Sequence, residues 1–200
     1  MISEVPLMPI KNKKLLYHFT SLNNIEDILI NGLLPRKQAG DFDDVADPEI
    51  IDFREENGLN DYVPFHYFAK NPFDGRVQIN HPGKNFIYIC VNRIFAKNRN
   101  FRIIPMHPIA MGENIFLYDY DEGFEVIEWD VMEKRDYLDE HCKHICMAEC
   151  LSDRVVYPHE FSCIFVKDDN IKNYIQQVTN KMLGKIPFMI TVNANMFRGE

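Results

Sequence analysis

No run of about 18 apolar residues occurs in the sequence, so no segment reads as a membrane-spanning helix. The opening MISEVPLMPIKNKK has no apolar stretch of signal-peptide length and carries its positive charges after its apolar residues, the reverse of an export signal. A cytoplasmic chain is expected. Glycine is scarce, at nine residues, and no GxGxxG follows a candidate strand; nor is there a P-loop sequence. A Rossmann or phosphate-loop enzyme is therefore excluded as the natural reading. The GxSxG of a nucleophile elbow is missing as well. Cysteines number five, an odd count that suits thiols kept reduced rather than a disulfide framework. Cys142, Cys146 and Cys150 stand four apart with His141 and His144 among them, which invites a zinc site. Structural zinc normally draws two separated ligand pairs from different elements, so no metal is expected and the thiols read as small buried hydrophobes.

Positive charge is also in deficit: 22 Lys and Arg against 30 Asp and Glu give a formal charge of −8, unlike a general polyanion binder. The deficit is uneven. Residues 41–61 carry nine acids against Arg54 alone, and residues 113–140 carry eleven acids against two bases. Between His66 and His107 the balance reverses, with Lys70, Arg76, Lys84, Arg93, Lys97, Arg99 and Arg102 against Asp74. Such a block could face a phosphate backbone, which makes Arg93, Lys97, Arg99 and Arg102 candidate nucleic-acid contacts; the alternative is a solvated β-rich face.

What is present fits a single domain over residues 1–200, since 46% hydrophobic content supports a core of its own. The stretch 17–34, YHFTSLNNIEDILINGLL, reads as a strand followed at once by a helix. Ile25, Ile28 and Leu29 share one helical face, Asn23 and Glu26 stand in capping-box register, and Asn31-Gly32 is a stop signal whose Leu33 can fold back. His18 and Thr20 then sit at the strand's end beside free helical N–H groups, which suit a phosphate or carboxamide oxygen. Asp47-Pro48 starts a second helix that ends at Asn57-Gly58 with Arg54 in its last turn. Strands are predicted over 62–69 and 86–92 with a loop at 71–83 between them, a short strand at 115–118 and a helix over 124–138. A strand pair at 153–157 and 161–167, a helix capped by Asn170 and stopped by Gly184, and a strand at 186–192 complete the chain. Connections are mostly too short for parallel crossovers, so the class is α+β with mainly antiparallel strands. Glu149 lies in apolar company, where a carboxylate is either paired with a cation or has work to do. His107, before Pro108, is either a turn histidine or part of a cleft.

The order His18-x-Thr20, Asn23-Asn24-Ile25 and Asn31-Gly32-Leu33 resembles the opening of the DarT family of DNA ADP-ribosyltransferase toxins. Three later stretches resemble it in the same order: Asp61-Tyr62-Val63-Pro64-Phe65, Ile127-Glu128-Trp129 leading to Arg135-Asp136-Tyr137, and Met147-Ala148-Glu149-Cys150-Leu151. The resemblance implies an ADP-ribosyltransferase fold of two small, mainly antiparallel sheets round an NAD cleft with flanking helices. It also implies that NAD is the ADP-ribose donor and that a nucleobase of single-stranded DNA, thymidine or guanosine, is the acceptor. A DarG-like macrodomain antitoxin is the implied partner. Glu149, Arg54 and His107 take the catalytic roles in that reading, and His18, Thr20, Asn24, Gly32, Leu33 and Arg54 the cofactor contacts. The acidic stretch around Arg54, with Phe53 directly before it, departs from many relatives. Other readings are an RNA or protein acceptor, or a non-catalytic binding module that kept the fold.

Overall fold

The structure is a computed structural model, and it describes residues 8–112 and 115–198. Residues 1–7, which carry part of the export argument, and Glu113, one end of the second acidic stretch, lie outside the described residues.

Strand β1 (Leu15–Ser21) turns through a 3₁₀ segment, Leu22–Asn24, into α1 (Ile25–Asn31). Next come α2 (Pro48–Glu56), β2 (Val63–His66), α3 (Pro72–Asn80), β3 (Phe86–Asn92) and α4 (Arg93–Asn98). They are followed by β4 (Arg102–Ile104), α5 (Pro108–Met111), α6 (Tyr120–Val126), α7 (Trp129–Lys134) and α8 (Glu140–Ile145). The chain ends through β5 (Glu149–Ser152), β6 (Cys163–Val166), α9 (Asp169–Leu183) and β7 (Met189–Val192).

Among the described residues the strands form one seven-stranded sheet in the order β4-β5-β2-β1-β3-β6-β7. Every pairing is antiparallel except the parallel β6–β7. The expected two sheets are thus joined into one, at a narrow seam. β1 meets β3 from Leu15↔Asn92 to Ser21↔Phe86, but meets β2 only at Tyr17↔His66. Pro64 has no N–H to offer across that seam, and its carbonyl accepts instead from Nδ1 of His18 at 2.8 Å. The seam is therefore closed by side chains, and it is there that the candidate site residues gather.

Several local expectations yield to the tertiary structure. The predicted loop 71–83 contains α3, because Asn71 caps it by accepting from the Asp74 N–H and Pro72 suits a first turn. The predicted helix 124–138 divides into α6 and α7; the chain is extended at Ile127, and Arg135 with φ +50° ends α7. Tyr118 makes only a bridge to Ile103, and of 153–157 only Val156 pairs, with Leu33. Ser21, not Asn23, caps the turn into α1, and Asp168 rather than Asn170 caps α9. Asp47 starts α2 without a capping bond, its carboxylate accepting from Asn80 Nδ2 at 2.9 Å. The cysteine row is not one helix either. Cys142 lies in α8, where its thiol faces the Val131 carbonyl, Cys146 follows the helix, and Cys150 is on β5.

A large apolar core joins α1 to α9 through Ile28, Leu29, Ile171 and Ile175, and joins Tyr67 to Trp129, whose rings meet edge to face at 5.1 Å. Burying side chains of this size is worth roughly 1.5–3 kcal/mol each and supplies the rigid frame on which the polar groups are held. Gly32 is part of that frame. Its φ of +83° suits only glycine well, and a Cβ there would meet Val155 at 2.5 Å and the Val156 carbonyl at 2.9 Å.

Candidate active site

A cavity of about 280 Å³ opens along the seam, walled by β1, α1, the loop 40–46, the last turn of α2 and the facing edges of β2 and β5. Its floor is an ion pair. Glu149 opens β5, opposite His66 on one side and Ile104 on the other. Arg54 reaches it from α2, and its Nη1 donates to both Oε1 and Oε2 at 2.8 Å. Nη2 of the same guanidinium donates to the Leu59 carbonyl at 3.3 Å, which fixes its plane. The two residues are only 6% and 5% exposed, so each charge depends on the other for compensation. Burial pushes the Glu149 carboxyl up, but Arg54, with His66 and His107, outweighs it and leaves the group below the usual range.

Three histidines surround the pair. His18 is buried, and desolvation lowers its pKa to about 4 despite the bond to Pro64. His107 is likewise pulled down to about 4 by burial; its ring stacks on His144 at 6.2 Å. His66 is lowered by burial against the pull of Glu149, and its Nδ1 lies 3.1 Å from the Ala148 carbonyl. All three rings are neutral near pH 7. Each of the two bonded Nδ1 atoms is a donor, because a carbonyl can only accept.

On the opposite wall, Thr20 Oγ1 accepts from Asn24 Nδ2 at 3.1 Å. The same Asn24 amide brackets Asp43, donating to its carbonyl at 3.0 Å and accepting from its N–H at 2.8 Å. The Asp43 carboxylate takes Ser21 Oγ at 2.7 Å, Asn23 Nδ2 at 2.9 Å and Lys84 Nζ at 2.5 Å. The loop 40–46 is thereby tied to the start of α1, and Arg36 paired with Asp44 secures its far side. The polar side chains of His18 and Thr20 share this lining with apolar Phe19, Ile28, Leu33 and Leu34. Mixed walls of this kind hold a ligand that has both a flat apolar ring and hydrogen-bonding groups.

A family model described as ssDNA thymidine ADP-ribosyltransferase, DarT, matches residues 17–198. The chain belongs to the DarT family. Its fold is similar to that of Thermus sp. 2.9 DarT in complex with ADP-ribosylated ssDNA, with a TM-score of 0.81 at 14% identity over 92% of this chain and 96% of that one. The Thermus sp. 2.9 DarT in complex with NAD+ aligns with a TM-score of 0.75 at 14% identity, covering 94% and 98%. Thermosipho africanus DarTG in complex with ADP-ribose aligns at 0.70 and 19% identity over 92% of this chain and 51% of that chain. No curated protein matches the chain. At these identities the structural likeness establishes the ADP-ribosyltransferase-type fold, and the family match carries the assignment.

The eight catalytic and cofactor candidates that the DarT resemblance implies, His18, Thr20, Asn24, Gly32, Leu33, Arg54, His107 and Glu149, line this one cavity although they come from both halves of the chain. The cationic block does not join them. Arg93 is buried and donates to the carbonyls of Leu15, Ile10, Lys11 and Tyr67, with its guanidinium 5.1 Å from the Tyr67 ring. It is a buried structural clamp with four of its five guanidinium N–H donors spent on carbonyls. Lys97, Arg99 and Arg102 pair with Asp121, Glu160 and Asp119, so the apparent basic patch is neutralised by acids distant in sequence. Sequence reasoning missed His66, Phe73 and Asp43. A signal for His66 existed, since it lies two residues beyond Pro64 in the same strand and must share its face.

Proposed function

We propose that this chain transfers ADP-ribose from NAD to thymidine in single-stranded DNA within the cytoplasm, and that one domain over residues 1–200 carries the activity. A DarG-like macrodomain antitoxin is the partner that removes the mark. The observation that supports the reading best is the buried Arg54–Glu149 pair, set in the floor of the cavity that His18 and Thr20 also line. NAD supplies an ADP-ribosyl group whose bond to nicotinamide breaks with positive charge developing on the ribose. The donor set fits such a ligand. His18 spends Nδ1 on Pro64 and keeps a second ring nitrogen, and Thr20 keeps its hydroxyl proton while accepting from Asn24.

Glu149 acts as a fixed anion. Its charge is already in place and immobilised, so no reorganisation is needed as positive charge develops beside it. Arg54 fixes the carboxylate, and its planar cationic guanidinium favours an acceptor base that is losing a proton. His107 forms part of the wall, neutral and anchored by its own N–H to the His144 carbonyl at 2.9 Å.

Mass spectrometry of a thymidine-containing oligonucleotide incubated with NAD and the protein tests the reading. A gain of one ADP-ribosyl unit is expected with the parent protein. Glu149→Ala is expected to lower the rate by ~10²–10³ while NAD affinity measured by calorimetry changes little, because the lost interaction matters mainly in the transition state. A mass gain on protein or RNA instead of DNA overturns the acceptor assignment.

A further inference from the structure

The antiparallel register of β2 and β5 places His66 directly opposite Glu149, and both side chains line the cavity. The Ala148 carbonyl accepts from Nδ1 of His66 at 3.1 Å, which leaves the lone pair on Nε2. Among the described residues no group bonds to that Nε2. Glu149 is poorly suited to take a proton, since both of its oxygens accept from Arg54 Nη1 at 2.8 Å. His18 is no better: the neighbours acting on it, Arg54 and the His66 ring, both disfavour an imidazolium, and no carboxylate offsets them. His107 also senses Glu149, but it faces His66, His144 and Arg54 as well. For His66, Glu149 is the strongest influence favouring the protonated ring, with the Ala148 bond in the same direction and Arg54 opposing.

We propose that His66, through Nε2, is the base that takes the proton from the acceptor thymidine. The proposal rests on the transfer reaction put forward above. In the step, the base's N–H bond breaks and its proton goes to Nε2. The nitrogen's electron pair forms the bond to the ribosyl C1′, and the pair of the bond from C1′ to nicotinamide leaves with neutral nicotinamide. The resulting imidazolium sits beside Glu149 and is stabilised by it, while Ala148 keeps the ring from turning.

His66→Asn separates this role from a structural one. The Asn amide nitrogen reaches roughly the Nδ1 position and can keep the bond to Ala148, but nothing replaces the Nε2 lone pair. Transfer to the oligonucleotide is expected to fall ~10²-fold or more. The acid limb of the pH profile of transfer should vanish, while the melting temperature and the calorimetric NAD affinity stay close to the parent's. In the parent, ¹⁵N spectra of labelled histidine should show Nε2 unprotonated at pH 7, and Glu149→Gln should move that ring's titration to lower pH. A His66→Asn protein that transfers at the parental rate with an unchanged acid limb overturns the proposal and leaves the functional reading standing. A parent protein inactive on every oligonucleotide overturns both.

Discussion

Among the described residues two carboxylates are buried, and burial leaves them in different protonation states. Glu149 faces a guanidinium and stays ionised. Asp74, 1% exposed at the start of α3, faces only neutral groups: Tyr88 Oη and the Lys70 N–H each donate to its Oδ2 at 2.9 Å, and its Oδ1 has no partner. Burial raises the Asp74 carboxyl to about 7 in spite of those bonds. Neutral donors soften the cost of burying an anion, whereas a cation in contact removes it. The difference fits the role proposed for Glu149 and a structural one for Asp74. Glu149 holds a permanent charge toward an open cavity, while Asp74 fastens the turn after β2 to β3 by accepting and sharing protons.

The most severe way to break the comparison is to strip Glu149 of its cation. Arg54→Leu is expected to destabilise the protein by about 3–5 kcal/mol, because an unpaired carboxylate is left buried. Arg54→Leu with Glu149→Leu should recover much of that loss while remaining inactive, and denaturant unfolding of both variants checks it. If the single variant is as stable as the parent, the pair is not the mutual support described above.

A second test exploits the charge states. The folded Asp74 carboxyl keeps its proton to about pH 7, whereas the unfolded one releases it near 3.8. Between those values the native state binds more protons, so this group's contribution is full at low pH and lost as pH rises through about 7. His18 and His107, lowered to about 4, act the other way, with stability present above about 6.5 and lost as pH falls toward 4. Asp74→Asn isolates the first effect. The difference in stability between parent and variant should shift by a few kcal/mol at most from pH 5 to pH 8, in the variant's favour as pH rises. Melting curves at both pH values decide it.

The smallest effect is expected at the surface. Arg102 is paired with Asp119 and also donates to the Leu117 carbonyl at 2.9 Å. Exposed pairs of this kind are worth up to about 1 kcal/mol, so Arg102→Ala should change stability by no more than that. Oligonucleotide affinity should change by about twofold or less at a fixed salt concentration, because the arginine is already engaged. A tenfold loss would reinstate the cationic block as a DNA surface.

These contrasts also show what was legible from the residues. The DarT resemblance, rather than spacing alone, pointed to His18, Thr20, Arg54 and Glu149, all of which line the cavity. The boundaries of β3 follow directly from its continuous apolar run at 86–92. Pairing partners were not legible. Nothing near Arg102 in the chain announces Asp119, and nothing near Arg93 announces the carbonyls it collects, since both depend on how distant segments fold against each other. The helix at Pro72–Asn80 was obscured by Gly75 and two flanking prolines, although Asn71 and Pro72 form a good start. The count of sheets depended on a single registered pair between β1 and β2, and composition says nothing about a seam that narrow.

Arg93 also sets a direction to assembly. Its guanidinium gathers carbonyls from residues 10, 11, 15 and 67, and its own N–H donates to the Lys14 carbonyl at 2.8 Å. Every one of those acceptors emerges from the ribosome before the donor does. The carbonyls of the first segment therefore lack this donor until the β3–α4 junction has been synthesised.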